Sequence, residues 1–150
     1  MNELKRILYA EDDVKDIELT LNALDEYKLA NEVIVVNDGE EALDFLYYKG
    51  KFINRPVGNP AVVLLDIKMP KITGLEVLKQ IKSDPNLKMI PAVLLTSSKE
   101  EKDFLAGYQL GANAFVVKPV DFRDFLYTVK ELGLFWAVIN EPPPNSIQKK

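Results

Sequence analysis

Five short apolar runs punctuate the chain: Ile7-Leu8-Tyr9-Ala10, Val33-Ile34-Val35-Val36, Ala61-Val62-Val63-Leu64-Leu65, Ala92-Val93-Leu94-Leu95 and Ala114-Phe115-Val116-Val117. Each is continuous rather than alternating, the pattern of a strand covered on both faces. Between and after them, apolar positions recur at helical spacing: Ile17, Leu21 and Leu24; Leu75, Leu78 and Ile81; Phe122, Phe125, Leu126, Val129 and Leu132. Two more helices are expected over about residues 40–48 and 99–110, the second stopped by Gly111. Five successive βα units predict an α/β fold with a parallel sheet and right-handed crossovers. Residues 49–60, with two glycines and two prolines, form a long connector before the third strand. The run Glu141-Pro142-Pro143-Pro144 cannot be helical. The expected organisation is one domain over residues 1–140, with an extended last helix, and a Pro-rich flexible tail over 141–150.

A chain of 150 residues, 47% hydrophobic and 28% charged, suits a single ordinary core. The net charge of −4 and a pI near 5.0 argue against a nucleic-acid footprint. No apolar stretch reaches the roughly 20 residues that span a bilayer, and the first residues lack a signal-peptide core. The expected location is the cytoplasm, away from membranes. The chain has no cysteine and no histidine. Thiolate chemistry, histidine-ligated zinc and a histidine general base are therefore excluded. Chemistry here must use carboxylates, lysines, hydroxyls or a group borrowed from a partner.

Ligands of open α/β sheets bind at the carboxyl ends of the strands. There the sequence places Glu11, Asp12 and Asp13 after the first strand, Asp66 after the third, Thr96 and Ser97 after the fourth, and Lys118 before Pro119 after the fifth. Carboxylates gathered on one rim repel until some protonate or a cation neutralises them. All-oxygen ligation with open positions suits magnesium. An aspartate beside such an ion can act as a nucleophile toward phosphorus. The remaining demands of phosphoryl transfer, positioning and charge stabilisation, are met by a lysine and a hydroxyl.

At these positions the chain resembles the response-regulator receiver domains. The motifs are Leu8-Tyr9-Ala10-Glu11-Asp12-Asp13, Leu64-Leu65-Asp66-Ile67-Lys68-Met69-Pro70 followed by Gly74, Leu94-Leu95-Thr96-Ser97, and Val116-Val117-Lys118-Pro119. Together they span about residues 4–132. The resemblance implies a doubly wound, flavodoxin-like (βα)5 sheet of strand order 2-1-3-4-5. It also implies that Asp66 accepts a phosphoryl group from a sensor histidine kinase. Mg2+ would be held by Glu11, Asp12, Asp66 and the backbone carbonyl of Lys68. Thr96 and Lys118 would contact the phosphoryl group, and Thr96 and Phe115 would relay its presence. The Lys118-Pro119 peptide would be cis, as is usual in the family. The connector, residues 81–91 and Phe135-Trp136 are similar to regulators paired with bacterial phytochromes.

Other readings remain at this point. The acids after the first strand could cap a helix, a role expected of Asp13. An aspartate-nucleophile phosphohydrolase shares the ingredients, but carries a second acid two residues after the nucleophile, where this chain has Lys68. A flavin binder of the same topology needs a hydroxyl- and glycine-rich first loop, where this chain has Glu11-Asp12-Asp13. Only 18 residues follow Leu132, so a stand-alone regulator acting by protein contacts is expected, with no enzymatic activity beyond its own phosphorylation and dephosphorylation. From Leu132 to Ile139 every residue but Gly133 is apolar. A homodimer through Phe135, Trp136 and Ile139 is expected, with a fold-back at Gly133 as the competing arrangement.

Overall fold

The computed structural model describes residues 6–25, 33–97, 106–118 and 122–131. Five strands, β1 (Ile7–Ala10), β2 (Val33–Val36), β3 (Val62–Asp66), β4 (Ala92–Thr96) and β5 (Ala114–Val117), pair in parallel in the order β2-β1-β3-β4-β5. Ile7 of β1 faces Val33 on one side and Val62 on the other, and the register continues without slippage to Ala10. This is the doubly wound order expected above. Because β2 lies on one side of β1 and β3 on the other, the chain reverses direction across the sheet at β1. The crevice left there opens beside the carboxyl ends of β1 and β3.

The helices are α1 (Val14–Asp25), α2 (Gly39–Tyr47), α3 (Gly74–Ser83), α4, described only over residues 106–109, and α5 (Phe122–Glu131). Successive strand residues serve opposite layers. Leu8, Ala10, Val63, Leu65 and Leu94 pack with Phe45 and Leu46 of α2 and Val77, Leu78 and Ile81 of α3. Ile7, Tyr9, Leu64, Val93 and Leu95 pack on the other face with Ala23 and Leu24 of α1, and with the half-buried Ile17 and Leu21. Such two-sided cover is why the strands lack alternation.

Local chemistry sets the ends. Asp38 Oδ1 accepts from the Glu41 N–H at 2.8 Å and starts α2. Thr73 and Glu76 form a capping box at α3. Gly111, at φ +102°, turns the chain after α4 as expected. The long connector is more ordered than its composition predicts. It opens with a 3-10 turn at Gly50–Phe52. The Arg55 guanidinium lies 3.9 Å from the ring centres of both Phe45 and Tyr48. Arg55 also donates to the carbonyls of Phe45 (2.7 Å), Pro56 (2.8 Å) and Gly58 (3.0 Å). The tail over 141–150 and the apolar segment holding Phe135, Trp136 and Ile139 lie outside the described residues.

Candidate functional site

Four strand ends converge because the backbone ladder continues past them. The Glu11 N–H donates to the Val36 carbonyl (2.9 Å), that of Ile67 to Leu95 (3.1 Å) and that of Lys118 to Thr96 (2.8 Å). Glu11, Asp66, Thr96 and Lys118 therefore share one rim. The start of α3 closes over the loop after Asp66, with the Gly74 N–H donating to the Ile67 carbonyl at 3.0 Å. A Cβ at Gly74 would stand 2.2 Å from the Asp66 carbonyl oxygen, so this close approach admits only glycine.

On the rim lies an open cavity of about 620 Å³, walled by Asp12, Asp66, Lys68, Thr96, Ser97 and Lys118 among others. Asp66 and Thr96 are 5% and 3% exposed and form its floor, whereas Asp12 is exposed at its edge. Glu11 is fully buried behind the wall. One carboxylate oxygen each from Glu11, Asp12 and Asp66 lie within 4.8 Å of one another. Asp13 is exposed and also borders the cavity, but its Oδ1 accepts from the Asp16 N–H at 3.1 Å and caps α1, as expected.

A single ammonium is shared by three carboxylates. Lys118 Nζ lies 3.1 Å from Asp66 Oδ1, 3.1 and 3.3 Å from the two oxygens of Glu11, and 2.7 Å from Asp16 Oδ2. Asp16 was not foreseen from the motifs. In the sequence it reads as an ordinary acid in the first turn of α1, favoured there by the helix dipole. Tyr9, also unforeseen and fully buried, directs its hydroxyl to Glu11 Oε1 (3.3 Å) and to the Asp16 carbonyl (3.4 Å).

The acids outnumber the cation, and their proton affinities show it. Burial, then the charge of Asp66, pushes the Glu11 carboxyl up to about 7 against the partial relief given by Lys118. Burial likewise raises Asp66, although Lys118 opposes it. Burial also works against the charge on Lys118, but the Asp16 hydrogen bond and the Asp66 charge outweigh it and hold the ammonium above its ordinary value. An all-oxygen cluster held together at this cost suits a hard divalent cation, which would relieve it. The cavity can therefore take a small, highly charged anion together with such a cation, against a carboxylate oxygen of Asp66.

Phe115 does not wall this cavity. It is half-buried on β5, its ring centre 4.8 Å from that of Tyr108 of α4, and it lines a separate hollow of about 410 Å³ against α5. Pro119 lies outside the described residues.

The comparisons with known proteins agree with this geometry. Residues 7–130 match the family pattern described as the response regulator receiver domain. The bacteriophytochrome response regulator RtBRR is similar at 58% identity and a TM-score of 0.84, over 96% of this chain and 87% of that one. The bacteriophytochrome response regulator AtBRR is similar at 56% identity and a TM-score of 0.84, over 93% of this chain and 99% of that one. Response regulator Rcp1 of Synechocystis sp. (strain ATCC 27184 / PCC 6803 / Kazusa) is 38% identical over 135 residues, 90% of each chain. Its Mn2+-bound form has been solved and superposes with a TM-score of 0.73 at 34% identity, over 97% of this chain and 99% of that one. With fold, rim chemistry and sequence in agreement, this chain belongs to the response regulator receiver family, the aspartate-phosphorylated signalling proteins of two-component systems.

Proposed function

We propose that Asp66 is the phosphoacceptor and that the donor is a phosphohistidine of a sensor kinase. One observation carries this reading: Asp66 presents a buried carboxylate to an open cavity, with the Lys118 ammonium 3.1 Å away and one carboxylate oxygen each of Glu11 and Asp12 within 4.8 Å. A carboxylate oxygen attacks phosphorus and the P–N bond of the donor breaks. Its electron pair leaves with the imidazole, which takes a proton from solvent, and an acyl phosphate forms on Asp66. The chain has no histidine, so the donor group must come from a partner.

Glu11, Asp12 and Asp66 would hold Mg2+, with the carbonyl of Lys68 as a backbone ligand. A bound Mg2+ supplies neutralisation of the phosphoryl oxygens. Lys118 neutralises a further oxygen as charge builds on the transferring group. Thr96, at the floor, donates its hydroxyl to a phosphoryl oxygen and, with Phe115, transmits the modification to the α4-β5-α5 face. Receiver-domain regulators are in general signalling proteins rather than enzymes, and the activity proposed here is confined to gain and loss of the chain's own phosphoryl group.

The names of RtBRR and AtBRR point to a bacterial phytochrome as the kinase. Among the described residues no helix is long and apolar enough to cross a membrane, and a cytoplasmic regulator without nucleic-acid contacts fits the acidic chain. Residues 1–140 would form the receiver with its extended helix and 141–150 its tail. A homodimer through Phe135, Trp136 and Ile139 would be dispersed by Trp136→Glu in light scattering.

The acceptor is tested by weighing the intact protein after incubation with acetyl phosphate, with and without Mg2+. The parent gains one phosphoryl group only with the metal, and Asp66→Asn gains none while remaining folded. Equal labelling of Asp66→Asn refutes the assignment.

A further inference from the structure

We propose that Asp16 is a positioning residue for Lys118, the third leg of a carboxylate tripod that aims the ammonium at the acceptor. The inference rests on the reading of Asp66 as the phosphoacceptor. An ammonium has three protons and no acceptor, and here three acids surround it, at 3.1 Å (Glu11 Oε1), 3.1 Å (Asp66 Oδ1) and 2.7 Å (Asp16 Oδ2). Glu11 and Asp66 both stand at strand ends. Asp16 belongs to a different layer, the first turn of α1, and makes the shortest of the contacts. It therefore fixes Nζ along a direction that the two sheet residues leave open.

Asp16 is itself held in place. Its N–H donates to Asp13 Oδ1 (3.1 Å), and its carbonyl accepts from the hydroxyl of the buried Tyr9 (3.4 Å). The tie through Tyr9 reaches Glu11 as well (3.3 Å), so one phenol links two legs of the tripod. Asp16 is absent from the cluster of metal-compatible oxygens, which comprises Glu11, Asp12 and Asp66. Its duty is to the lysine.

The tripod matters during transfer. When Asp66 becomes an acyl phosphate its carboxylate loses its charge, and the proton of Lys118 that faced it turns to a phosphoryl oxygen. Glu11 and Asp16 keep the other two, so Nζ stays where the phosphoryl group arrives. Without the Asp16 charge, the ammonium settles between Glu11 and Asp66. The incoming group must then break a tighter ion pair on the nucleophile itself. Misplacement of a positioning group by about 1 Å can cost up to a hundredfold in rate.

The chain is compared with Asp16→Asn, Asp16→Glu and Glu18→Gln, the last removing one negative charge from an exposed position of α1 that does not border the cavity. Two readouts are taken. The first is the side-chain ammonium signal of Lys118 in 1H–15N spectra of the unphosphorylated protein, assigned with Lys118→Arg. It should be visible in the parent, lost to solvent exchange in Asp16→Asn and restored in Asp16→Glu. The second is the phosphorylation rate at saturating acetyl phosphate and Mg2+. This should fall roughly tenfold in Asp16→Asn and recover in Asp16→Glu, with the Mg2+ half-saturation point held within about twofold; Glu18→Gln should keep the parent rate. An ammonium signal unseen in the parent, or unchanged in Asp16→Asn, overturns the proposal. So does a rate loss matched by Glu18→Gln, or one explained by weaker Mg2+ binding. If the parent accepts no phosphoryl group at all, the reading of Asp66 fails separately, and the lysine signal still decides the role of Asp16.

Discussion

Glu11→Gln should make the protein more stable at alkaline pH while removing part of its site. Glu11 is fully buried, and its carboxyl titrates near 7 instead of the ordinary 4.5. The folded state therefore binds its proton more tightly than the unfolded chain does. Between those two values, folding takes up a proton, so stability falls as pH rises. At about 1.4 kcal/mol per tenfold change in proton affinity, the full loss is about 3 kcal/mol. Roughly 2 kcal/mol of it falls between pH 5.5 and pH 8, a range that stays clear of the pI near 5.0. Glutamine imitates the protonated acid and has nothing to titrate. Urea unfolding followed by circular dichroism, in chelator, at pH 5.5 and pH 8 measures the effect. The advantage of Glu11→Gln over the parent should grow by about 2 kcal/mol across that range, on the order of 4–8 °C in Tm for a chain of this size. Adding Mg2+ at pH 8 should raise the parent more than the variant, because ligand binding to the folded state adds to its stability. Parallel parent and variant curves would show that Glu11 is adequately paired by Lys118 and that the crowding of acids has been misjudged.

Asp12→Ala should weaken Mg2+ binding, measured by calorimetry, more than Asp13→Ala does; equal losses would mean that the wrong acid faces the cavity. Asp13→Ala should instead cost about 0.5–2 kcal/mol in thermal melts through the lost α1 cap. Gly74→Ala should destabilise by about 1–3 kcal/mol or more, since the 2.2 Å approach to the Asp66 carbonyl forces the backbone apart. It should also slow phosphorylation, and a variant with parental melting and rate would refute that contact. Thr96→Ala should still be labelled but should respond less to the label, because a phosphoryl group shifts an equilibrium only through contacts that differ between its two states. Amide spectra that move as far in Thr96→Ala as in the parent would rule out this route.

Much of the fold is legible in the sequence because both faces of its strands are covered. Continuous runs such as Val63-Leu64-Leu65 cannot lie on a wet surface, and their spacing leaves room for one helix each. Glu11, Asp66, Thr96 and Lys118 are legible for a related reason, as each is the first polar residue after such a run, and Asp12 follows directly on Glu11. Asp16 was hidden because its partner is more than 100 residues away in sequence, at Lys118, and helical spacing alone ranks it among the solvent-facing polar residues of α1. The order of the connector was hidden by its glycines and prolines. Its organising contact, one guanidinium between two rings, joins residues whose types carry no motif.

That contact changes how the edge of the domain should answer to proteolysis and to grafting. Arg55 grips the end of α2 with its plane and the carbonyls of Pro56 and Gly58 with its edge, while the Gly58 N–H donates to the Tyr48 hydroxyl at 2.8 Å. A protease needs slack backbone, and these carbonyls and amides are already engaged. Nicking within residues 55–58 would thus report the opening of the end of α2 rather than idle loop motion. Lysine in place of Arg55 would keep the charge but lose the flat surface that stacks. It would convert a rigid extension of the helix into a cleavable flap. A peptide inserted beyond Gly58 would, by contrast, be displayed from a fixed base, with its root oriented by the helix that Arg55 holds.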